Sequence, residues 1–131
     1  MAQEGKDADA GAGHGAKRRR RLYSGIQPTG NLHIGNYLGA ISNWVRLSDP
    51  FEATFGIVDY HAMTMPYEPK MLEDRIREMA ADLIACGLDT EKCTLYVQSA
   101  VPEHTELAWL LSCVAPMGAL ERMTQVKDKA R

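Results

Sequence analysis

The sequence has no apolar run approaching the ~20 residues that span a bilayer, and no apolar signal-peptide core near its start. No membrane partner is therefore expected. Cysteine is scarce: Cys86, Cys93 and Cys113 are an odd number at spacings that match no zinc pattern. They read as buried, reduced thiols of a cytoplasmic chain, not as a disulfide framework. No protein-bound metal is expected. An excess of one charge is also missing, because 15 Lys and Arg stand against 17 Asp and Glu. Net charge alone thus implies no nucleic-acid surface. A dinucleotide-type glycine fingerprint and an internal repeat are absent too. What remains is a 131-residue chain, 45% apolar, with the length of one globular domain.

Residues 1–16 are Gly, Ala and charged, with almost nothing to bury, and are expected to be disordered. Lys17-Arg18-Arg19-Arg20-Arg21 follows, either an RNA-contacting arm or a solvated flank. Glu4, Asp7 and Asp9 argue against an organelle transit peptide. Residues 1–21 are read as a disordered basic extension and 22–131 as the folded unit.

In that unit, strands are predicted over Leu22–Ile26, Ala53–Val58 and Thr94–Gln98. A first helix is predicted from about Ile34 to Leu47. Its apolar face would carry Ile34, Leu38, Ile41 and Val45, with Tyr37 and Trp44, and Ser48-Asp49-Pro50 would stop it. A second runs from Pro69 to Cys86 with Leu72, Ile76, Met79, Ala80 and Leu83 inward, and Gly87 as its cap. Pro102 opens a third, with Leu107, Leu110, Leu111 and Val114 on one side and Trp109 read as core. A last helical segment starts at Met117. This alternation is α/β, the first half of a doubly wound parallel sheet built from right-handed crossovers.

Ligands of such sheets bind beyond the C-terminal strand ends. Three loops should meet there: residues 23–36, 59–64 and 98–104. The first contains the turn formers Pro28, Thr29, Gly30 and Asn31 and then a helix start at His33, Gly35 and Asn36. Free N–H groups and the helix dipole favour an anion there. On the residues alone, this is an anion site at a strand-to-helix turn.

The run His33-Ile34-Gly35-Asn36 resembles the HIGH signature of class I aminoacyl-tRNA synthetases, with Asn in the last place. Ser24-Gly25-Ile26-Gln27-Pro28-Thr29-Gly30 is similar to the tryptophanyl form, whereas tyrosyl enzymes more often carry Asp where Gln27 stands. Ile57 to Thr64, Tyr96-Val97-Gln98-Ser99 and Leu120 to Gln125 extend the resemblance over residues 22–131. It implies a Rossmann-like, HIGH-type fold that activates tryptophan with ATP to tryptophanyl-adenylate and transfers it to tRNA(Trp). His33, Asn36 and Gln27 would be catalytic. Gln27, Pro28, Thr29, Gly30, His33, Gly35, Asn36, Lys127 and Lys129 would bind ATP, with Mg2+ as its counter-ion. Tyr23, Gly25, Gln27 and His61 would line the amino-acid pocket, Tyr23 by stacking on the indole. Asp59 would belong to the site, orient His61 or cap the next segment. Glu121, Arg122, Thr124 and Gln125 would lie near the phosphates and a homodimer contact, or form a solvated helix.

The family's second signature, Lys-Met-Ser-Lys-Ser, does not occur here, nor does the acidic residue that reads the indole N–H. The chain is therefore read as the truncated N-terminal part of the catalytic domain. Two other readings stay open: an adenylyltransferase of the same superfamily, and a non-catalytic binding module.

Overall fold

The computed structural model describes residues 18–64, 66–124 and 126. Among them, β1 (Arg21–Ile26), β2 (Glu52–Ile57) and β3 (Cys93–Val97) form one parallel sheet in the order β1-β2-β3. The first crossover runs through α1 (Ile34–Asn36), a π-helical turn (Tyr37–Ile41) and α2 (Ser42–Leu47). The second runs through α3 (Asp59–Ala62) and α4 (Pro69–Ala85). A 3₁₀ turn (Gln98–Ala100), α5 (Glu103–Val114) and α6 (Met117–Leu120) follow β3. This is the expected α/β, Rossmann-like arrangement.

Successive right-handed crossovers that step in one direction lie on the same face of a sheet. Strand side chains alternate between faces. Ala53, Phe55 and Ile57 accordingly point to one side, where they close a core with Ile41 and Trp44 from the first crossover and Met79 and Leu83 from the second. The Trp44 ring lies flat on Phe55, with 4.4 Å between centroids and 9° between planes. Cys93 is buried at the edge of this core, and burial pushes its thiol above the usual range. It therefore stays a thiol at neutral pH.

The first helix departs from its expected face. Ile41 and Trp44 are buried, but Ile34 is 71% and Leu38 64% exposed. The π turn is the reason: its i→i+5 bonding inserts one residue into the helix and shifts the phase between its first and second halves. Periodicity read at a constant angle therefore put the wrong residues inward over the first turn. The second helix matches its expectation. Pro69 occupies its first turn, and Gly87 stands beyond its end at φ +100°. There the Gly87 N–H donates to Ile84 O at 2.9 Å and the Leu88 N–H to Leu83 O at 3.1 Å, with Leu83 and Leu88 both buried. This hydrogen-bond pair needs a left-handed residue between helix and loop. Arg77 pairs with Glu73 on the exposed face, one turn apart.

Two further expectations change. The boundary after residue 21 falls inside β1, and the arginines before it are engaged. Arg19 donates to Asp49 O at 2.9 Å, and Arg18 lies 3.7 Å from the Glu52 carboxylate. Lys17 is outside the described residues. The apolar side of α5 is not core: all its residues are exposed, Trp109 to 71%. Its side of the sheet carries no second layer among the described residues, so periodicity alone misassigned it. No helix among the described residues is long and apolar enough to cross a membrane.

Replacing Trp44 by Ala should cost about 3–5 kcal/mol, the usual range for deleting a buried aromatic. Urea unfolding of the intact protein measures it, and a loss under about 1 kcal/mol would mean that the stacked pair is not what anchors the first crossover.

Candidate functional site

The C-terminal ends of the three strands lie side by side, and hydrogen bonds tie their loops together. Val58 N–H donates to Ile26 O at 2.8 Å, joining the ends of β1 and β2. Asp59, only 4% exposed, joins the ends of β2 and β3. Its Oδ1 accepts from Tyr60 N–H at 3.1 Å and from Ser99 N–H at 3.0 Å. A buried carboxylate needs such donors. The carboxylate thus tethers the loops after β2 and β3, a role not among those read for it from the sequence. Beside it, the His61 Nδ1–H donates to Gln98 Oε1 at 3.1 Å.

At the signature turn, His33 is the N-cap of α1, with extended backbone at φ −122° and ψ 167°. Its Nδ1 accepts from Gly35 N–H at 3.1 Å, and Asn36 Oδ1 accepts from His33 N–H at 3.2 Å. This reciprocal capping box fixes which atoms face outward. With Nδ1 accepting, the neutral ring carries its proton on Nε2; with Oδ1 accepting, the Asn36 amide presents its NH₂. Both side chains thus keep a donor for an external anion. Gly35 is part of the same device: a Cβ there would stand 2.9 Å from His33 Cε1 and 3.0 Å from Nδ1. Among the described residues, nothing outside its own helix lies within 4 Å of the Cβ position on Gly39, so that face of the helix is open to them.

Gln27, Thr29, Gly30, His33 and Asn36 line one cleft of about 220 Å³, floored by Met79. A second cleft of about 370 Å³ shares Gln27 and Thr29 with it, takes in the buried Pro28, and is walled by Tyr67, Leu72 and Arg75. Of the predicted nucleotide residues, Gln27, Thr29, Gly30, His33 and Asn36 share the first cleft, Pro28 lines only the second, Gly35 lines neither, and Lys127 and Lys129 lie outside the described residues.

The predicted amino-acid residues are not gathered in one cleft. Tyr23 projects from the uncovered sheet face, where its hydroxyl lies 3.0 Å from that of Tyr96. Tyr96 reaches there across Gly56, where a Cβ would stand 3.2 Å from its ring. Its ring also leans on His104, at 5.8 Å between centroids. These groups line a cleft of about 630 Å³ that also takes in Arg21, Glu52 and Thr54. At Gly25 the space for a Cβ is filled by Val58 Cγ1, 2.9 Å away. His61 is turned to Gln98. Residue-by-residue reading gave no role to Tyr96, Gln98, Ser99 or Arg75. The first three lie in the Tyr96-Val97-Gln98-Ser99 block, whose position at a strand end was the available signal. Arg75 had none, because a helix-surface charge looks alike from either side.

Residues 16–131 match the family model for tRNA synthetases class I (W and Y). The chain is 52% identical over 113 residues to a tryptophan–tRNA ligase of Wolinella succinogenes, covering 86% of this chain and 34% of that protein. It superposes on a crystal structure of tryptophanyl-tRNA synthetase from Campylobacter jejuni complexed with ADP and tryptophan, with a TM-score of 0.79 and 41% identity, over 84% of this chain and 34% of that one. A tyrosyl-tRNA synthetase from Archaeoglobus fulgidus is similar in fold alone, with a TM-score of 0.69 at 19% identity over 81% of this chain and 35% of that one. The chain thus spans about a third of the length of the curated relative and of the solved structures it matches.

The tyrosine pair yields a pH prediction. Burial, then the hydrogen bond and charge of Tyr23, push the Tyr96 hydroxyl up to about 12. Its folded-state value is thus raised above the ordinary ~10. The stability this contributes is complete below pH ~10 and is lost as pH rises through the raised value. Ultraviolet titration of phenolate absorbance should show this late ionisation in the wild type and an earlier one in Tyr23→Phe. Coincident titrations would remove the pair.

Proposed function

The chain belongs to the class I tRNA synthetases of the W and Y type, and from that premise we propose that the protein is a tryptophan–tRNA ligase whose nucleotide site is the His33 turn. ATP binds with its phosphates against His33 Nε2 and the Asn36 amide, and its base over Gly35 and the open surface at Gly39. Gln27, Pro28, Thr29 and Gly30 form the turn that borders it. A carboxylate oxygen of tryptophan attacks the α-phosphorus, the bond to pyrophosphate breaks, and tryptophanyl-adenylate forms. A ribose hydroxyl of tRNA(Trp) then attacks the carbonyl carbon, and AMP leaves. The protein's part is positioning and stabilisation of phosphoryl charge. Mg2+ comes with the triphosphate as its counter-ion, where it neutralises phosphate charge. Among the described residues no three His, Cys, Asp or Glu side chains converge to hold a metal, and no step is assigned to the ion.

Tryptophan lies between the β1 end and the loop after β2, where the resemblance assigns Tyr23, Gly25, Gln27 and His61 to it, although the four do not line one cleft in the structure. Lys127 and Lys129 add phosphate contacts, and the Lys17–Arg21 segment touches RNA through its phosphates. A homodimer and a cytoplasmic location complete the reading. The single observation that carries it is the capping box, which turns one donor of His33 and one of Asn36 outward beside Gln27 and Thr29. The identity to tryptophan–tRNA ligases favours it over the adenylyltransferase alternative.

The test is tryptophan-dependent ATP–pyrophosphate exchange and tRNA charging by the intact protein, with tyrosine as the competing substrate. His33→Ala and Asn36→Ala should each slow adenylate formation roughly 10²–10³-fold, the usual cost of one preorganised donor. Exchange that prefers tyrosine would overturn the choice of amino acid. Variants within about threefold of wild type in single-turnover activation would remove these donors from the phosphate site.

A further inference from the structure

The second cleft beside the signature turn contains a cation that the proposed reaction has not used. Arg75 sits on α4 and lines that cleft together with Gln27 and Thr29. It is half-buried, and among the described residues it makes no ion pair and no hydrogen bond. Its helix neighbours one turn away are Met71, Leu72, Glu78 and Met79, and it pairs with none of them. Two residues on, Arg77 points roughly 200° around the helix and pairs with Glu73 and Asp74 on the outer face. The acidic residues that neutralise Arg77 are thus turned away from Arg75. Glu68 borders the same cleft but stays beyond ion-pair distance.

Arginine cannot shed its proton in a protein. A guanidinium without an internal partner is free to meet an anion, and its planar fork matches phosphate oxygens. Its cleft shares Gln27 and Thr29 with the nucleotide turn, so a phosphate held there stays close to the reacting groups.

We propose that Arg75 is a phosphate-binding residue of this site, reaching an anion from the cleft that adjoins the one His33 and Asn36 line. This rests on the synthetase reading. The phosphate has two possible sources, the pyrophosphate end of ATP and the terminal phosphodiester of the tRNA.

The test compares wild-type intact protein with Arg75→Met and Arg75→Lys. Methionine keeps much of the packed stem and removes the charge; lysine keeps the charge and loses the fork. Inorganic pyrophosphate titrated against the protein by phosphorus NMR reads the first source without needing activity. Transfer of tryptophan from preformed adenylate, as a function of tRNA concentration, reads the second. Arg75→Met should weaken one of the two roughly 10- to 100-fold, the scale of one charge-assisted hydrogen bond, with its thermal midpoint unchanged. Arg75→Lys should recover part of the loss. Wild-type behaviour of Arg75→Met in both arms, or a loss that Arg75→Lys does not relieve, overturns the proposal. A wild type that binds pyrophosphate through Arg75 yet lacks tryptophan-dependent exchange overturns the synthetase reading and leaves the anion site standing.

Discussion

The flat contact of Trp44 on Phe55 is what the signature turn depends on. The turn itself is small and exposed, and α1 buries nothing of its own. Its orientation is inherited from the other end of the same helical rod, where Ile41 and Trp44 lock onto the sheet. An offset aromatic pair adds direction to plain apolar burial, because ring planes constrain rotation as well as distance. The π turn between anchor and site lets the outer turn leave the helical phase set by the anchor. His33 and Asn36 are thereby freed to face the cleft, while Ile34 and Leu38 are turned to solvent.

Parallel pairing does the second part of the work. It brings three strand ends together, but the loops beyond them need separate fastening. The Val58 to Ile26 hydrogen bond ties the first two ends, and the buried Asp59 carboxylate ties the last two. Both fasteners use backbone N–H groups as donors and tolerate little displacement. On the opposite face, glycine at the sheet centre lets Tyr96 lie across β2 to reach Tyr23. That hydroxyl contact couples the outer strands where the described residues supply no covering layer. The start of α5 reaches this side through His104, whose ring meets Tyr96, while α5 as a whole is exposed.

Charge is distributed with similar economy. Arg18 and Arg19 are engaged by Glu52 and Asp49, and Lys92 is held by Asp49, whose hydrogen bond and charge raise its ammonium above the usual range. These contacts lie at the N-terminal ends of the strands, away from the signature turn. Exposed pairs of this kind are worth little individually. Their effect is to bring part of a polybasic segment onto the body that composition alone would leave in solvent. On α4, Arg77 is neutralised on the outer face while Arg75 looks toward the turn. Among the described residues, the same residue type is thus paired on one helix face and left without an ion pair on another.

The sequence by itself determined the element types and their order. Alternating strands and helices, Pro69 and Gly87 at the ends of α4, and the turn formers from Pro28 to Asn31 each act through local backbone preference, which needs no knowledge of neighbours. It also determined the motif from which the fold and the nucleotide turn could be expected. Only tertiary structure decided which side chains face what. The first helix's inward residues depended on a π turn that a constant period cannot show. Trp109 is apolar and well spaced for core, yet nothing among the described residues packs over it. The hydrogen-bond partners of Asp59, His61 and Tyr23 lie 40, 37 and 73 positions away, at Ser99, Gln98 and Tyr96. Such pairings are invisible to local pattern, because they arise from sheet order and register, not from spacing along the chain.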